Sequence, residues 1–518
     1  MRRRETCAVA WRGRALVILS SAVLGSGCAG RHAPPTQGAE ASPVATPAPG
    51  TGSLVPADAI RADLVHLYET LQRAHFDLYA RVTKVAYDQH YAATMASIGR
   101  PASRDEIAAL LGRFVAFGRV AHARIDASYD AFDRYEAAGG MVFPLSLRFR
   151  DDRVFVADNL SELEDIHRGD EILSLDGKPI AAWVERAARN VAADTPYMAH
   201  SLMERDFPEL LWLEAGPVES FAVTFRDAAG RTVEKVIVAR TAKQIRAASS
   251  ERPRRLELSR SERVARMLDG RTAYLRPGPF YNSDPGATDP YDNAAFRRFI
   301  DSAFQGFLEA RADRLVIDLR DNPGGDSSFS DLMVSWFASR PFKFTSAFDI
   351  RVSEEAIASN DRRLTVEPAG GESISRKFAA AYARARPGDT ITFDVPLSEP
   401  RSEPRFKGRV YVLVNRRSYS NAVAVAALVQ DYGFGKILGE ETSDLATTFG
   451  AMEILRLPRT GLLVGFPKAF IVRPSGDLAP RGVVPDVAIE TPVVEGVDDP
   501  VLMRAWQIAD SVTQRPSG

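Results

Sequence analysis

The chain has 518 residues, room for about three domains, and its 26% charged and 45% hydrophobic residues are those of an ordinary soluble globular body. A formal net charge of −1 leaves no basic block to neutralise phosphates, which argues against a nucleic-acid binder. Both cysteines, Cys7 and Cys28, stand at the extreme front of the chain. The body therefore has no thiol, disulfide or Cys metal site, no HExxH spacing offers zinc, and no cofactor or metal is implied.

The start, "MRRRETCAVAWRGRALVILSSAVLGSGCAG", sets five arginines before an apolar run from Ala15 to Leu24. That run is too short to span a bilayer and ends in small residues, so a signal peptide is expected over 1–27. "LGSGCAG" resembles the lipobox of bacterial lipoproteins, although its leucine lies one place upstream of the usual pattern. The resemblance implies a lipid anchor on Cys28, and Ala29, in place of an aspartate, implies an outer-membrane tether facing the periplasm. Plain secretion is the alternative. Residues 28–54, mostly Pro, Ala, Gly and Thr, cannot bury enough surface to order themselves and are expected to be a linker.

Helical periodicity begins after Pro56, with Ile60, Leu64, Leu67, Tyr68 and Leu71 on one face. A second helix is expected from Tyr87 to Ile98. A third follows Ser103 as N-cap, with Glu106 three residues on and Ile107, Leu110, Leu111 and Phe114 behind it. A helical N-terminal domain is thus expected over 55–135, with "GRVAHARIDASYD" read as a turn running into a strand. Residues 138–245 read as β-rich: a hairpin about Asp151-Asp152, strand–turn–helix in "RGDEILSLDGKPIAAWVERA", and a second hairpin. "RGDEILSLDGKPI" resembles the PDZ-domain signature of bacterial proteases, and Arg168-Gly169-Asp170 within it reads as a turn. From 255 to 495 strands and helices alternate, an α/β layer pattern, with a C-terminal helix or tail over 496–518.

Two units of this α/β region place a tight loop between a buried strand and a helix N-terminus. "RLVIDLR" runs through "DNPGGDSS" into "FSDLMVSWFASR", and "RVYVLVN" runs through "RRSYS" into an apolar helix ending near Gly433. A helix N-terminus offers unpaired N–H groups and a positive dipole end, and glycine N–H groups are unobstructed. Ser420 would then face Gly324 and Gly325, an arrangement suited to acyl transfer. Spacing alone leaves open whether Ser420 is a nucleophile or a helix cap, a task Ser418 or Asn421 could also perform. Ser327 and Ser328 read as the N-cap of their own helix, and no GxSxG elbow occurs.

A nucleophilic serine needs a base. All seven histidines (His32, His66, His75, His90, His122, His167 and His200) precede the α/β region, and only Lys436 and Lys468 follow Ser420. A histidine base must therefore come from another domain. His122, at a loop–strand junction, is better placed than His66, His75 or His90, which fall in helices as surface or packing residues.

"LVIDLRDNPGG", "SYSNAVAVAALVQDYGFGKILGEET" and "RGVVPDV", in that order, resemble the carboxyl-terminal processing (tail-specific) and tricorn-type serine peptidases over roughly residues 55–495. The resemblance implies a multidomain α/β chain: a crotonase-like peptidase core, a helical N-terminal domain and a PDZ-like domain. It makes Ser420 the nucleophile and gives the oxyanion hole to Asn421 and to Gly324 or Gly325. Leu445 occupies the place of the processing branch's lysine, so a Ser–Lys dyad is disfavoured. The tricorn branch's histidine falls on His122, with Ala121 for its preceding serine and Ala479 for its glutamate. Asp477 is then the nearest candidate for the orienting acid, with Glu440 and Glu441 behind it. The implied activity is hydrolysis of cell-envelope or periplasmic polypeptides, recognised by free C-termini, although "VFPLSLRF" lacks a glycine-rich carboxylate loop. The rival readings are a catalytically silent PDZ-bearing lipoprotein, favoured by the losses at 121, 445 and 479, and an acyl transferase or esterase acting on a non-peptide substrate.

Overall fold

The computed structural model describes residues 54–251, 256, 258–287, 289–366, 373–494 and 496–511, so the expected signal peptide, Cys28 and all but the last residue of the linker lie outside the described residues. Three helices follow the sequence pattern: Ala57–Ala74, Lys84–Ser97 and Arg104–Ala116. The first buries Ile60, Leu64, Leu67, Tyr68 and Leu71. The third starts with the expected capping box: Glu106 N donates to Ser103 Oγ at 3.2 Å, and Ser103 N donates to Glu106 Oε2 at 2.8 Å. The expected strand after residue 120 does not form. Arg124 makes one isolated bridge, and Ala127–Ala137 is a helix, held by Phe132 and Tyr135 packing on Trp212 with ring centroids at 5.6 and 5.2 Å.

Over 141–241 the two expected hairpins are present. Leu145–Arg150 pairs with Arg153–Asn159 about Asp151 and Asp152, which take φ of +49° and +61° as a tight hairpin turn requires. Ser220–Arg226 pairs with Thr232–Val238, and Glu171–Leu175 lies between the hairpins. The helix Ile180–Ala188 follows the Asp176-Gly177 turn as expected. A longer helix, Pro196–Ala215, was not legible because its buried Met198, Met203, Phe207, Leu210 and Leu211 are interleaved with buried Glu204, Asp206 and Glu209.

The α/β region is built on a six-stranded sheet in the order Val487–Ala488, Lys436–Gly439, Arg409–Val414, Arg314–Asp318, Thr272–Arg276 and Val264–Met267, parallel except at the last edge. Its central strands read as unbroken apolar runs because both faces are covered. Leu315, Ile317, Val410 and Val412 pack against helices Ala294–Glu309, Ser327–Val334 and Asn421–Tyr432. Val316, Tyr411 and Leu413 face the C-terminal helix Pro500–Ser511.

A second, antiparallel sheet was not foreseen. It runs Thr390–Thr392, Ala347–Arg351, Leu463–Val472, Thr448–Arg456, and its last two strands share a core with the helical layer through Phe449, Leu457, Leu462, Val464 and Phe466. The buried Asp63 carboxylate fastens this seam, accepting from Arg459 N at 3.0 Å and from Thr460 N and Oγ1 at 2.7 Å each. The helical layer is therefore welded to the α/β region rather than tethered to it.

Candidate active site

The strands Arg314–Asp318 and Arg409–Val414 are parallel neighbours, with Asp318 opposite Leu413, so the loops that follow them emerge side by side. Asn322 braces the first loop. Its Nδ2 donates to Gly278 O at 2.8 Å, its Oδ1 accepts from Gly324 N at 2.9 Å, and its carbonyl accepts from Tyr419 N in the second loop at 3.0 Å. Gly324 has φ +81°, and a Cβ there would stand 2.5 Å from Tyr419 O, 2.8 Å from Asn421 N and 2.9 Å from Ser420 Cβ. Only glycine allows that approach. Phe280 N donates to Gly324 O at 2.9 Å and Asp326 N to Phe280 O at 2.7 Å. This parallel bridge turns the N–H of Gly325 away from Phe280. The cap of the following helix is Asp326, which accepts from Ser328 N at 2.9 Å, so Ser327 and Ser328 are its first two residues and not its N-cap.

Ser420 precedes the helix Asn421–Tyr432 with φ +54° and ψ −121°, a conformation that non-glycine residues rarely adopt. Its side chain makes no cap hydrogen bond. That removes the spare-cap reading. Ser418 is spent on the loop itself, donating to Leu319 O at 2.7 Å and accepting from Asn415 N at 3.1 Å, and Asn421 Nδ2 donates to Ser330 Oγ at 2.9 Å. The strained serine is gripped through its peptide N–H, which donates to Asp444 Oδ2 at 2.6 Å. Among the described residues, no acceptor meets the N–H of Asn421 or of Gly325.

His122 reaches this loop from the other end of the chain. Arg124 and Gly465 exchange backbone hydrogen bonds of 3.0 and 2.9 Å, which staples the His122 segment to the strand Leu463–Val472. The imidazole is 4% exposed and stacks on Tyr419, the residue before Ser420, with centroids 5.5 Å apart and planes at 24°. Burial, then the neighbouring Arg124 charge, push the ring down to about 4, and the backbone of Phe449 partly opposes them. His122 is therefore a neutral imidazole through the physiological range.

Residues 282–489 match the family model described as peptidase family S41. The match spans less than half of the chain and supports a serine-type peptidase. The match takes in Gly324, Gly325 and Ser420 and leaves His122 outside it. Among solved structures, mature CPAF superposes on 83% of this chain and 92% of its own length at 17% identity, with a TM-score of 0.59. Mature CPAF complexed with lactacystin covers 88% and 97% at 15% identity, with a TM-score of 0.61. At such identity the likeness is one of fold.

Two of the expected orienting acids, Asp477 and Glu440, have carboxylate partners elsewhere. Asp477 accepts from Ala479 N at 2.9 Å and Arg481 at 3.3 Å, and Glu440 lies on Arg416 at 3.2 Å and Arg148 at 3.3 Å. Glu441 takes the Tyr197 hydroxyl on its backbone carbonyl at 3.1 Å. Nδ1 of His122 is buried with no hydrogen-bond partner among the described residues, so none of the three orients it through that nitrogen. Leu445, in the lysine's place, is buried, while Lys468 is committed to Glu453 in the second sheet.

Sequence reasoning missed Asp444, Asp194, Asn322 and Tyr419. Asp444 is fully buried, and desolvation, then the charge of Asp194, push it up to about 7. Nothing in "SDLATT" marks an aspartate that folds back 24 residues onto a backbone N–H. Arg416 ties the loop to the β-rich region, donating to Phe149 O at 3.0 Å and Glu204 at 2.9 Å, while its carbonyl accepts from Ser201 Oγ at 3.1 Å.

Proposed function

We propose that the chain hydrolyses peptide bonds with Ser420 as nucleophile, His122 as base, and the N–H groups of Asn421 and Gly325 as the oxyanion hole. The observation that carries this reading is Ser420 itself: a non-glycine residue held at φ +54°, relieved of capping, one residue from a neutral imidazole. Gly324, whose N–H is spent on Asn322, serves as the spacer that lets the two loops touch.

In the reaction, Ser420 Oγ bonds to the substrate carbonyl carbon as its proton passes to His122, and the carbonyl electron pair moves onto oxygen. The two free N–H groups hold that charge where no solvent dipole need reorganise. The imidazolium then gives its proton to the departing amine as the C–N bond breaks, and water repeats the sequence on the acyl-enzyme. A base driven down to about 4 is a weak acceptor in the resting site. The oxyanion that forms beside it stabilises the imidazolium, so its basicity rises when it is needed.

The substrates we infer are envelope or periplasmic polypeptides, in keeping with the signal-peptide and lipobox patterns at 1–28 and an anchor on Cys28. The β-rich region 138–245 is read as a PDZ-like unit that takes free C-termini, and the six-stranded sheet with its helices as a crotonase-like core. Hydrolysis of an unfolded polypeptide by the purified body, lost in both Ser420→Ala and His122→Ala, is the expected result. Hydrolysis that survives both substitutions overturns the assignment, and cleavage of small esters without peptides would redirect it to a non-peptide acyl substrate.

A further inference from the structure

Two buried carboxylates that no sequence motif marks stand behind the dyad, one under each half. Asp444 accepts from Ser420 N at 2.6 Å with Oδ2 and from Leu445 N at 2.9 Å with Oδ1. Its own carbonyl accepts from Thr442 Oγ1 at 2.9 Å, which fixes the turn that presents it. Asp194, from the segment before the helix Pro196–Ala215, accepts from Ala121 N at 3.1 Å, the residue immediately before His122. Its other oxygen receives Arg81 Nε at 3.3 Å. Asp444 is fully buried and Asp194 is 9% exposed. Each therefore gives one oxygen to a peptide N–H of the site, Asp444 to Ser420 and Asp194 to Ala121.

We propose that Asp444 and Asp194 are positioning residues of the hydrolytic site, which register a base carried by the helical layer against a nucleophile carried by the α/β region. This rests on the reading of Ser420 and His122 given above. Three facts favour positioning over simple fold maintenance. The group Asp444 holds is the peptide N–H of the one residue whose backbone is strained at the helix start, and a strained φ persists only where its surroundings fix it. Asp194 meets the chain at Ala121, where no serine side chain is present to steady the histidine segment. The two carboxylates also feel each other, and both act on the phenol of Tyr419, the residue before Ser420, whose ring stacks on His122.

The arrangement makes the site sensitive to pH through a group other than its base. The charged and titratable groups facing the pair are Arg81 on Asp194, Tyr419 and Arg124 beside both halves, Arg205 beyond Tyr419, and the His122 ring stacked on that tyrosine. Desolvation raises both carboxyls, Asp444 to about 7, while the N–H donors and Arg81 pull the other way. The ionised carboxylate is the form that accepts two N–H bonds well, so protonation of Asp444 loosens its hold on Ser420. Because the two carboxylates interact, they titrate as a pair.

The test is the pH profile of kcat/KM for polypeptide cleavage in wild type, Asp444→Asn and Asp194→Asn, with melting curves for each. The expected wild-type profile loses activity as pH falls through about 7, well above the His122 value of about 4. Asp444→Asn, which turns one N–H acceptor into a donor, is expected to lower kcat by about 10²-fold with little change in KM. The limb near neutrality should vanish and leave only the lower one. Asp194→Asn removes the like charge and is expected to move the upper limb to lower pH, a shift that a purely structural role would not give. Wild-type-like kcat and profile in both variants overturn the proposal. So does a wild-type acid limb near 4 alone. Should Asp444→Asn fail to fold, the direction of the Asp194→Asn shift decides. Failure of wild-type protein to cleave, or cleavage untouched by Ser420→Ala, would instead overturn the underlying reading.

Discussion

Replacing Gly324 by alanine would put a methyl group where the two loops of the proposed site touch. The residue sits at φ +81°, and the new Cβ would lie 2.5 Å from Tyr419 O, 2.8 Å from Asn421 N and 2.9 Å from Ser420 Cβ. The left-handed backbone costs an L-residue roughly 1–2 kcal/mol. The overlap adds roughly 1–3 kcal/mol, as overpacking does in a filled interior. None of the atoms in the way is the tip of a flexible side chain. Relief requires the Ser420 loop to retreat by about 1 Å to reach ordinary contact. A displacement of that size at a nucleophile lowers kcat by about 10²-fold. Gly433→Ala is the matched control, because it too has positive φ, +69°, but meets nothing within 4 Å. The assay is urea unfolding and peptide turnover of the two variants side by side. Gly433→Ala should lose about 1 kcal/mol with activity intact, and Gly324→Ala should lose more stability and most of its turnover. Equal activity in the two variants would refute the claim that the loops are pressed together at Gly324.

Two further substitutions probe the supports of the site. Asp63→Ala strips three donors at Arg459 and Thr460 of their acceptor in a buried seam, and should cost about 3 kcal/mol in thermal or urea melts; a loss under about 1 kcal/mol would show that the seam is held by apolar contact alone. His75 is fully buried, neither ring nitrogen has a partner among the described residues, and burial drives the ring down to about 3. The unfolded chain binds a proton below 6.5 that the folded chain refuses, so stability is present above 6.5 and lost as pH falls toward 3. At pH 5 the loss amounts to about 2 kcal/mol relative to pH 7. His75→Leu should remove that increment from paired urea melts at the two pH values, and an unchanged difference would contradict it.

Much of this architecture can be read from local pattern, because the elements that carry the site are themselves local. The strands 314–318 and 409–414 announce themselves as apolar runs because both faces are covered. Ser103 and Glu106 declare a helix start through a contact three residues long. The helix at 127–137 is not legible locally, because Trp212, which it packs on, comes from far along the chain. The same rule separates the parts of the site. Ser420 and the two glycines sit in short loops between strong signals, so their meeting at the strand ends is legible. Asp444 and Asp194 act through backbone N–H groups of Ser420 and Ala121 in remote segments, and no spacing encodes that. The expectation of an acid at 440, 441 or 477 rests on position in the sequence. In the fold the carboxylates of Glu440 and Asp477 meet Arg416 and Arg481.

On the proposed mechanism, a neutral imidazole from the front of the chain activates a serine strained into readiness at the back. The rate at which a fluorophosphonate probe labels Ser420 in wild type and in His122→Ala, at pH 7.5 or thereabouts, tests it most directly. Covalent labelling of Ser420 in wild type, slowed about 10³-fold in His122→Ala, is the result predicted. Equal labelling rates in the two proteins, or adduct on any residue other than Ser420, would contradict it.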